Sequence, residues 1–286
     1  MTLPEGFQFS QGSLQDFVDC RRRFQLRYIR GLAWPAVEMA PALENERYLQ
    51  QGSAFHHLAQ QFLLGVPAEA LSGMQKGEEL EQWWGNFLRF AQAEDGLGRY
   101  PQDRRYPEIS LTAPMEGFRL VAKYDLVALN PGGGAVIYDW KTSRRQPRKE
   151  NLARRLQTRV YPYLLVRAGE HLNGGQRFEP QDVEMVYWLT NFPQQPVRFP
   201  YSDQAYREDE AYLSDLITAI SRLKEDQFPK TDQVRRCRFC VYRSLCDRGQ
   251  EAGNWDQVEE GLDVDLDEGQ AFDLDIDFDQ IAEIEF

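Results

Sequence analysis

Two stretches decide the reading of this chain: Tyr124-Asp125-Leu126-Val127-Ala128-Leu129 and Ala135-Val136-Ile137-Tyr138-Asp139-Trp140-Lys141, separated by Asn130-Pro131-Gly132-Gly133-Gly134. Both are rich in β-branched, aromatic and aliphatic residues, which suit strands, while the proline and glycines between them suit a reversal. Residues 117–129 and 134–140 are therefore expected to form an antiparallel hairpin with a longer loop. Asp139 and Lys141 are two apart, so on a strand their side chains share one face. Asp125 falls inside the preceding strand. Charge at the inner end of an apolar strand needs a compensating reason. Two carboxylates facing one lysine can hold a hard divalent cation, Mg²⁺ or Mn²⁺, through oxygen, and the cation acidifies bound water. The lysine can position that water or offset charge developing on a phosphate. Taken alone, Asp-x-Lys is far more often a surface ion pair at a strand end.

Outward from this hairpin, the apolar periodicity predicts helices over 13–30, about 44–64 and about 76–95, and a strand over 106–112. Downstream it predicts a helix over 149–168, strands near 182–190 and 196–200, and a helix near 203–226. Ser13-Leu14-Gln15-Asp16 has the form of a helix cap, followed by a partial stripe of Leu14, Phe17, Phe24 and Tyr28. This order of elements predicts an α/β domain with a mixed central sheet flanked by helices. Residues 1–248 make up that domain, and 249–286 differ in kind.

Two further pairs stand at helical spacing. Gly52-Ser53-Ala54-Phe55-His56-His57 places histidines on the second helix, and Leu156-Gln157-Thr158-Arg159-Val160-Tyr161 places Gln157 and Tyr161 on one face of a later one. Each is bland in isolation. In order, however, G-x-x-x-H on a helix, an Asp in a strand, D-x-K after a hairpin and Q-x-x-x-Y on the next helix resemble the PD-(D/E)xK nucleases of the RecB type, over about residues 10–248. The resemblance implies a restriction-endonuclease-like core and metal-dependent hydrolysis of DNA phosphodiester bonds, as an exonuclease on single strands or ends. It further implies His56, Asp125 and Asp139 as metal ligands, with the Trp140 carbonyl adding another. Lys141 would be the catalytic lysine, and Gln157 and Tyr161 would shape the site and contact DNA. Lys123 stands where the family commonly has glycine, His57 is a second histidine beside the matched one, and Glu108 is either an extra acid in the site or a surface carboxylate at a strand end.

The four cysteines are Cys20, Cys237, Cys240 and Cys246. The last three give C-x2-C-x5-C, and only Cys20 is left to supply a fourth thiolate. Spacing alone leaves tetrahedral zinc and an iron–sulfur cluster both open. One distant N-terminal Cys with this C-terminal spacing is similar to the iron–sulfur RecB-type nucleases, among them the small CRISPR-associated exonucleases and nuclease domains fused to helicases. That resemblance implies a [4Fe–4S] cluster acting as a staple between the N- and C-terminal segments, with metal binding contributing to folding.

The net charge of −12 conceals two regimes. Residues 249–286 hold 14 of the 45 acidic residues and no Lys or Arg, which leaves 31 acidic against 33 basic residues in the rest. Within that body, Arg144, Arg145, Arg148 and Arg155 crowd after Lys141 and are candidates for tracking a DNA backbone. Trp140, Tyr161 and Tyr163 are suited either to base stacking or to the core. The alternating acid and apolar residues of 263–267 and 272–279 predict a disordered tail that orders on a partner. No run of about 18 apolar residues exists, and Met1–Gly6 lacks the features of a signal peptide, so a cytoplasmic protein with no membrane contact is expected. DNA is the expected partner, with a helicase or another repair or CRISPR protein beside it, in DNA repair, recombination or CRISPR adaptation. Readings from other classes are a non-catalytic iron–sulfur DNA-binding or scaffold subunit serving a helicase, and a zinc-binding interaction protein.

Overall fold

The computed structural model describes residues 3–32, 42–73 and 77–249, the side chains of 42–46 excepted. Its elements are β1 (Gln8–Ser10), α1 (Gln11–Asp19), α2 (Arg21–Phe24), α3 (Ala42–Leu63), α4 (Ala68–Leu71) and α5 (Glu78–Gln92). There follow β2 (Arg105–Met115), β3 (Phe118–Leu129), β4 (Ala135–Lys141), α6 (Lys149–Arg154), α7 (Leu156–Ala168), β5 (Val183–Leu189), β6 (Val197–Pro200), α8 (Asp203–Ser221) and α9 (Val234–Cys237). The acidic segment expected as a disordered tail lies outside the described residues.

The expected hairpin is present: β3 and β4 pair antiparallel, from Leu126 opposite Tyr138 to Leu129 opposite Ala135. At its turn Gly134 adopts φ +80°, and a Cβ there would lie 2.4 Å from the Asp182 carbonyl oxygen, so only glycine fits without a shift. β4 then pairs parallel with β5, and β5 antiparallel with β6, while β2 lies antiparallel along β3. The sheet is therefore mixed. Helices cover both faces. One face carries Leu14, Phe17, Phe24, Leu156, Val160, Leu213 and Ile217 from α1, α2, α7 and α8. The other carries Phe55, Leu58, Trp83, Trp84 and Phe87 from α3 and α5. Both layers exclude water from a sheet whose central strands are apolar on each face, which is why β4 reads as a nearly unbroken hydrophobic run.

Three expectations are corrected. The helix expected over 13–30 is broken at Cys20, which is extended (φ −161°, ψ 106°), and it ends in one π turn at Gln25–Ile29. Its cap is also three residues earlier. Ser10 Oγ accepts from the Ser13 backbone and Ser13 Oγ accepts from the Ser10 backbone, because the chain enters the helix straight from β1. The helix expected over 149–168 is two, split at extended Arg155. The helix near 203–226 stops at Ser221. β1 has no counterpart in the sequence reading, since three residues are too few for a periodicity.

The N- and C-terminal segments are drawn together by several contacts. Arg236 pairs with Asp19 at 2.6 Å, the Arg22 N–H donates to the Pro229 carbonyl, and the Tyr242 hydroxyl donates to the Leu32 carbonyl. Phe24 stacks on Phe228 with centroids 6.3 Å apart. Among the described residues, no helix is long and apolar enough to cross a membrane.

Candidate active site

The site forms where the sheet comes apart. β2 occupies one edge of β3, pairing from Met115 opposite Phe118 to Arg105 opposite Ala128. The other edge is shared: β1 pairs with Arg119–Val121, and β4 only from Leu126 onward. Between them, Ala122–Asp125 have no strand on that side, while β4 continues through Lys141 paired to β5 alone. An opening in a sheet lets groups from both faces meet.

Asp125 uses this opening. Its Oδ2 accepts a hydrogen bond from the Trp140 backbone N–H at 2.7 Å, a side chain taking the place of a missing ladder bond. Its Oδ1 lies 3.4 Å from Nδ1 of His56, which arrives on α3 from one face of the sheet. Asp139 follows Ala135 and Ile137 along β4 and faces α7 on the other side. Its Oδ1 accepts from Gln157 Nε2 at 2.6 Å, and its Oδ2 pairs with Lys141 Nζ at 3.0 Å. Asp139 is 3% exposed, so its charge depends on protein partners such as these. Gln157 Oε1 is buried with no hydrogen-bond partner. Of the residues named from sequence, His56 thus lies against Asp125, while Lys141 and Gln157 lie against Asp139. His57 is exposed instead.

The backbone at Asp125 is irregular. Leu120, Ala122 and Tyr124 pack on the α7 face, whereas Leu126 and Ala128 pack on the α3 face. β2 changes faces in step: Ile109, Leu111 and Ala113 join the α7-side core, and so does Tyr106 rather than Pro107. Glu108, at the break in the β2–β3 register between Pro107 and Ile109, has φ +54°, and its carboxylate pairs with Lys123 Nζ at 2.7 Å.

The remaining residues named from sequence fall in three groups. Trp140, Tyr161 and Tyr163 are buried, so they belong to the core rather than to an exposed stacking surface. The Tyr161 carbonyl accepts from the Tyr124 hydroxyl at 2.9 Å, and the two rings lie 4.8 Å apart, one residue from Asp125. Arg144, Arg145 and Arg148 are exposed on the loop after β4, and Arg155 is half-buried between α6 and α7. Arg144 also pairs with Glu79 at 3.3 Å and lies 4.3 Å over the Tyr48 ring.

Sequence reasoning missed two supports. Tyr187 stands opposite Asp139 on β5, beneath the Lys141 ammonium at 5.7 Å, with its hydroxyl 2.6 Å from Thr158 Oγ1. Burial pushes its phenol well up, and the Asp139 charge adds to this. Asn191 donates to the Ser143 carbonyl at 3.0 Å and accepts from Trp83 Nε1 at 3.0 Å, tying the loop after Lys141 to α5. Tyr48 donates to the Thr142 carbonyl of the same loop. No local signal marks either residue, because strand register and loop docking are not local properties.

The four thiols form no disulfide. Cys20 bears electrostatically on each of Cys237, Cys240 and Cys246, so the fold brings the distant cysteine to the C-terminal three. Burial pushes the Cys240 thiol up to about 11, with Arg23 opposing and Cys20 and Cys246 adding. Among the described residues, no group of three or more His, Cys, Asp or Glu side chains is gathered tightly enough to hold a metal ion as it stands. The donor chemistry nonetheless fits: two carboxylates and an imidazole suit a hard divalent cation, and four thiols suit zinc or an iron–sulfur cluster.

A family model, the PD-(D/E)XK nuclease superfamily, matches residues 8–247. Among solved structures, the chain is similar to a crystal structure of a candidate exonuclease from Eubacterium rectale. That likeness has a TM-score of 0.50 and 13% identity, and covers 86% of this chain and 89% of the other. It is also similar to the crystal structure of SSO0001, with a TM-score of 0.37 and 13% identity over 86% of this chain and 88% of that one. No curated protein matches the sequence significantly. At this identity the structural likeness speaks for the fold alone.

Proposed function

The chain belongs to the PD-(D/E)XK nuclease superfamily, and from that premise we propose that it is a deoxyribonuclease of the RecB type, an exonuclease acting on single strands or ends. The observation that supports this reading is that His56 pairs with Asp125 and Lys141 with Asp139, on the strands β3 and β4 that border the opening, with the Trp140 N–H bonded to Asp125. Nucleases of this superfamily generally use divalent metals. Here Asp125, Asp139 and His56, with the Trp140 carbonyl, are the residues to hold Mg²⁺ or Mn²⁺. When bound, the cation supplies an acidified water and charge stabilisation at the phosphate.

The chain's own residues do the rest. Gln157 holds the Asp139 carboxylate in one orientation, so the acid is placed before a ligand arrives. Lys141, held between Asp139 and the Tyr187 face, presents a fixed positive charge to the scissile phosphate. Asn191 and Tyr48 steady the loop that carries Arg144, Arg145 and Arg148, and these with Arg155 track the DNA backbone. Tyr161 supports Tyr124 beneath Asp125.

Cys20, Cys237, Cys240 and Cys246 hold a [4Fe–4S] cluster in this reading, a structural staple between the two ends of a nuclease domain spanning 1–248. The arrangement of one distant and three closely spaced thiols in mutual electrostatic range supports it. The protein works in the cytoplasm, beside a helicase or another repair or CRISPR protein, and residues 249–286 are an appended tail. The test is cleavage of end-labelled single-stranded DNA by anaerobically purified protein, with Mn²⁺ or EDTA, beside Lys141→Ala. Metal-dependent cutting that disappears in the variant is the expected result. A folded, metal-loaded protein that does not cut would favour the non-catalytic scaffold subunit instead.

A further inference from the structure

The helix that carries Gln157 begins without a cap of its own. Arg155, the residue before α7, is extended (φ −70°, ψ 140°) and offers no side-chain bond to the helix start. The first N–H groups of any helix lack intrahelical acceptors and need partners from elsewhere. Here the Leu156 N–H donates to Oε1 of Gln15 at 3.0 Å, a residue 141 positions earlier in the chain. The acceptor stands on α1, whose Leu14 and Phe17 share a core cluster with Leu156 and Val160 of α7.

Gln15 is held from its other end as well. Its Nε2 donates to Asp19 Oδ1 at 3.0 Å, one turn on along α1. That carboxylate also pairs with Arg236 at 2.6 Å and with Arg23 at 3.0 Å, with only 6% of its side chain exposed. Turning the Gln15 amide over would set its NH2 against the Leu156 N–H and its oxygen against a carboxylate, so one orientation is fixed. Gln157 directly follows Leu156, and its Nε2 donates to Asp139 Oδ1 at 2.6 Å. Gln157 Oε1 is buried with no hydrogen-bond partner. The aim of Gln157 at Asp139 therefore depends on the backbone of the first turn of α7, and Gln15 anchors that turn.

We infer that Gln15 is a positioning residue for the proposed metal site: by capping α7 it sets the backbone from which Gln157 reaches Asp139. Its consequence for metal binding rests on the nuclease reading, whereas the link between the two glutamines requires no divalent cation.

NMR of the anaerobically purified full chain, free of divalent cations, tests the link, and calorimetric titration of Mn²⁺ tests its consequence. The variants are Gln15→Leu, Gln15→Glu, Gln157→Leu and the double variant with both leucines. In the parent, the Gln157 side-chain NH2 signals, identified by their loss in Gln157→Leu, should exchange slowly with water. Gln15→Leu should speed that exchange several-fold and weaken Mn²⁺ binding, by less than the about 10- to 100-fold expected of Gln157→Leu. Gln15→Glu keeps an acceptor for the Leu156 N–H and should stay close to the parent in both. Adding Gln15→Leu to Gln157→Leu should cost no further affinity, because Gln15 acts through Gln157. Unchanged Gln157 exchange in Gln15→Leu overturns the inference, whatever happens to Mn²⁺. Losses that add in the double variant overturn it too, since a general loosening of α1 would act independently of Gln157. A parent that binds no Mn²⁺ overturns the metal-site reading instead, and the exchange rates still decide the link.

Discussion

Glu108 and Asp125 fall at the break in the β2–β3 register, between the pairs Pro107–Leu126 and Ile109–Tyr124, and at this break both strands exchange the faces they present to the two helical layers. Tyr124 is thereby sent to the α7 side and Leu126 to the α3 side. Asp125 sits at the pivot, its carboxylate reaching across to the Trp140 N–H instead of standing clear of the sheet. The left-handed backbone of Glu108 is where the strain of that crease is visible.

A residue without a Cβ relieves such a backbone, and a β-branched one resists it. Glu108→Gly is expected to unfold within about 1 kcal/mol of the parent, since the pair lost with exposed Lys123 contributes less than about 1 kcal/mol. Glu108→Val is expected to lose about 2 kcal/mol or more. Thermal unfolding distinguishes them, and equal losses would show that backbone conformation is not what position 108 supplies.

Asp125→Asn keeps an oxygen for the Trp140 N–H but removes a charge from the proposed metal site. Mn²⁺ affinity should fall steeply and cleavage by about a thousandfold, with the unfolding temperature nearly unchanged. Gln157→Leu should weaken Mn²⁺ binding by about 10- to 100-fold, because Asp139 loses the donor that orients it. Calorimetric titration of Mn²⁺ into each variant gives the answer, and parental affinity in Asp125→Asn would move the metal elsewhere.

Asp209 gives a pH signature away from the cleft. It accepts from Arg159 at 2.7 Å and from the Tyr201 hydroxyl at 3.0 Å, yet burial outweighs both and raises its carboxyl above the ordinary value of 3.8. A carboxyl whose folded pKa is raised contributes stability that is full below its unfolded pKa and lost as pH rises through its folded one. The parent should therefore gain on Asp209→Asn as pH is lowered from 7 toward 4. The opposite trend in the difference between their unfolding temperatures would mean that the two partners outweigh burial.

Removing the proposed cluster should loosen the ends of the domain before its sheet. Anaerobically purified protein is expected to carry about four irons per chain, and Cys20→Ser to lose them together with the brown colour. Elemental analysis settles the choice of metal, and one zinc in place of iron would replace the iron–sulfur assignment with a tetrahedral site.

Much of this protein is legible in local order. The hairpin around Asn130–Gly134, the shared face of Asp139 and Lys141, the i, i+4 pairing of Gln157 with Tyr161 and the C-x2-C-x5-C run all follow from spacings of a few residues. At that range, backbone periodicity alone decides direction. The alternation of helices and strands likewise implies a mixed sheet between helical layers, because each apolar face must be buried against another element.

Other features depend on elements far apart in the chain. That β1 and β4 share one edge of β3 and leave Ala122–Asp125 open is a matter of register, set by which faces are buried. The same packing puts Tyr187 beside Asp139, ties Asn191 to the loop after Lys141, buries Trp140, Tyr161 and Tyr163, and breaks the first helix at Cys20, whose thiol falls within electrostatic range of three others more than 200 residues away. Spacing determined which groups this protein possesses. Only the collective burial of two helical layers against one sheet decided which of them meet, because contacts of that separation gain their free energy from the whole core rather than from neighbours in sequence.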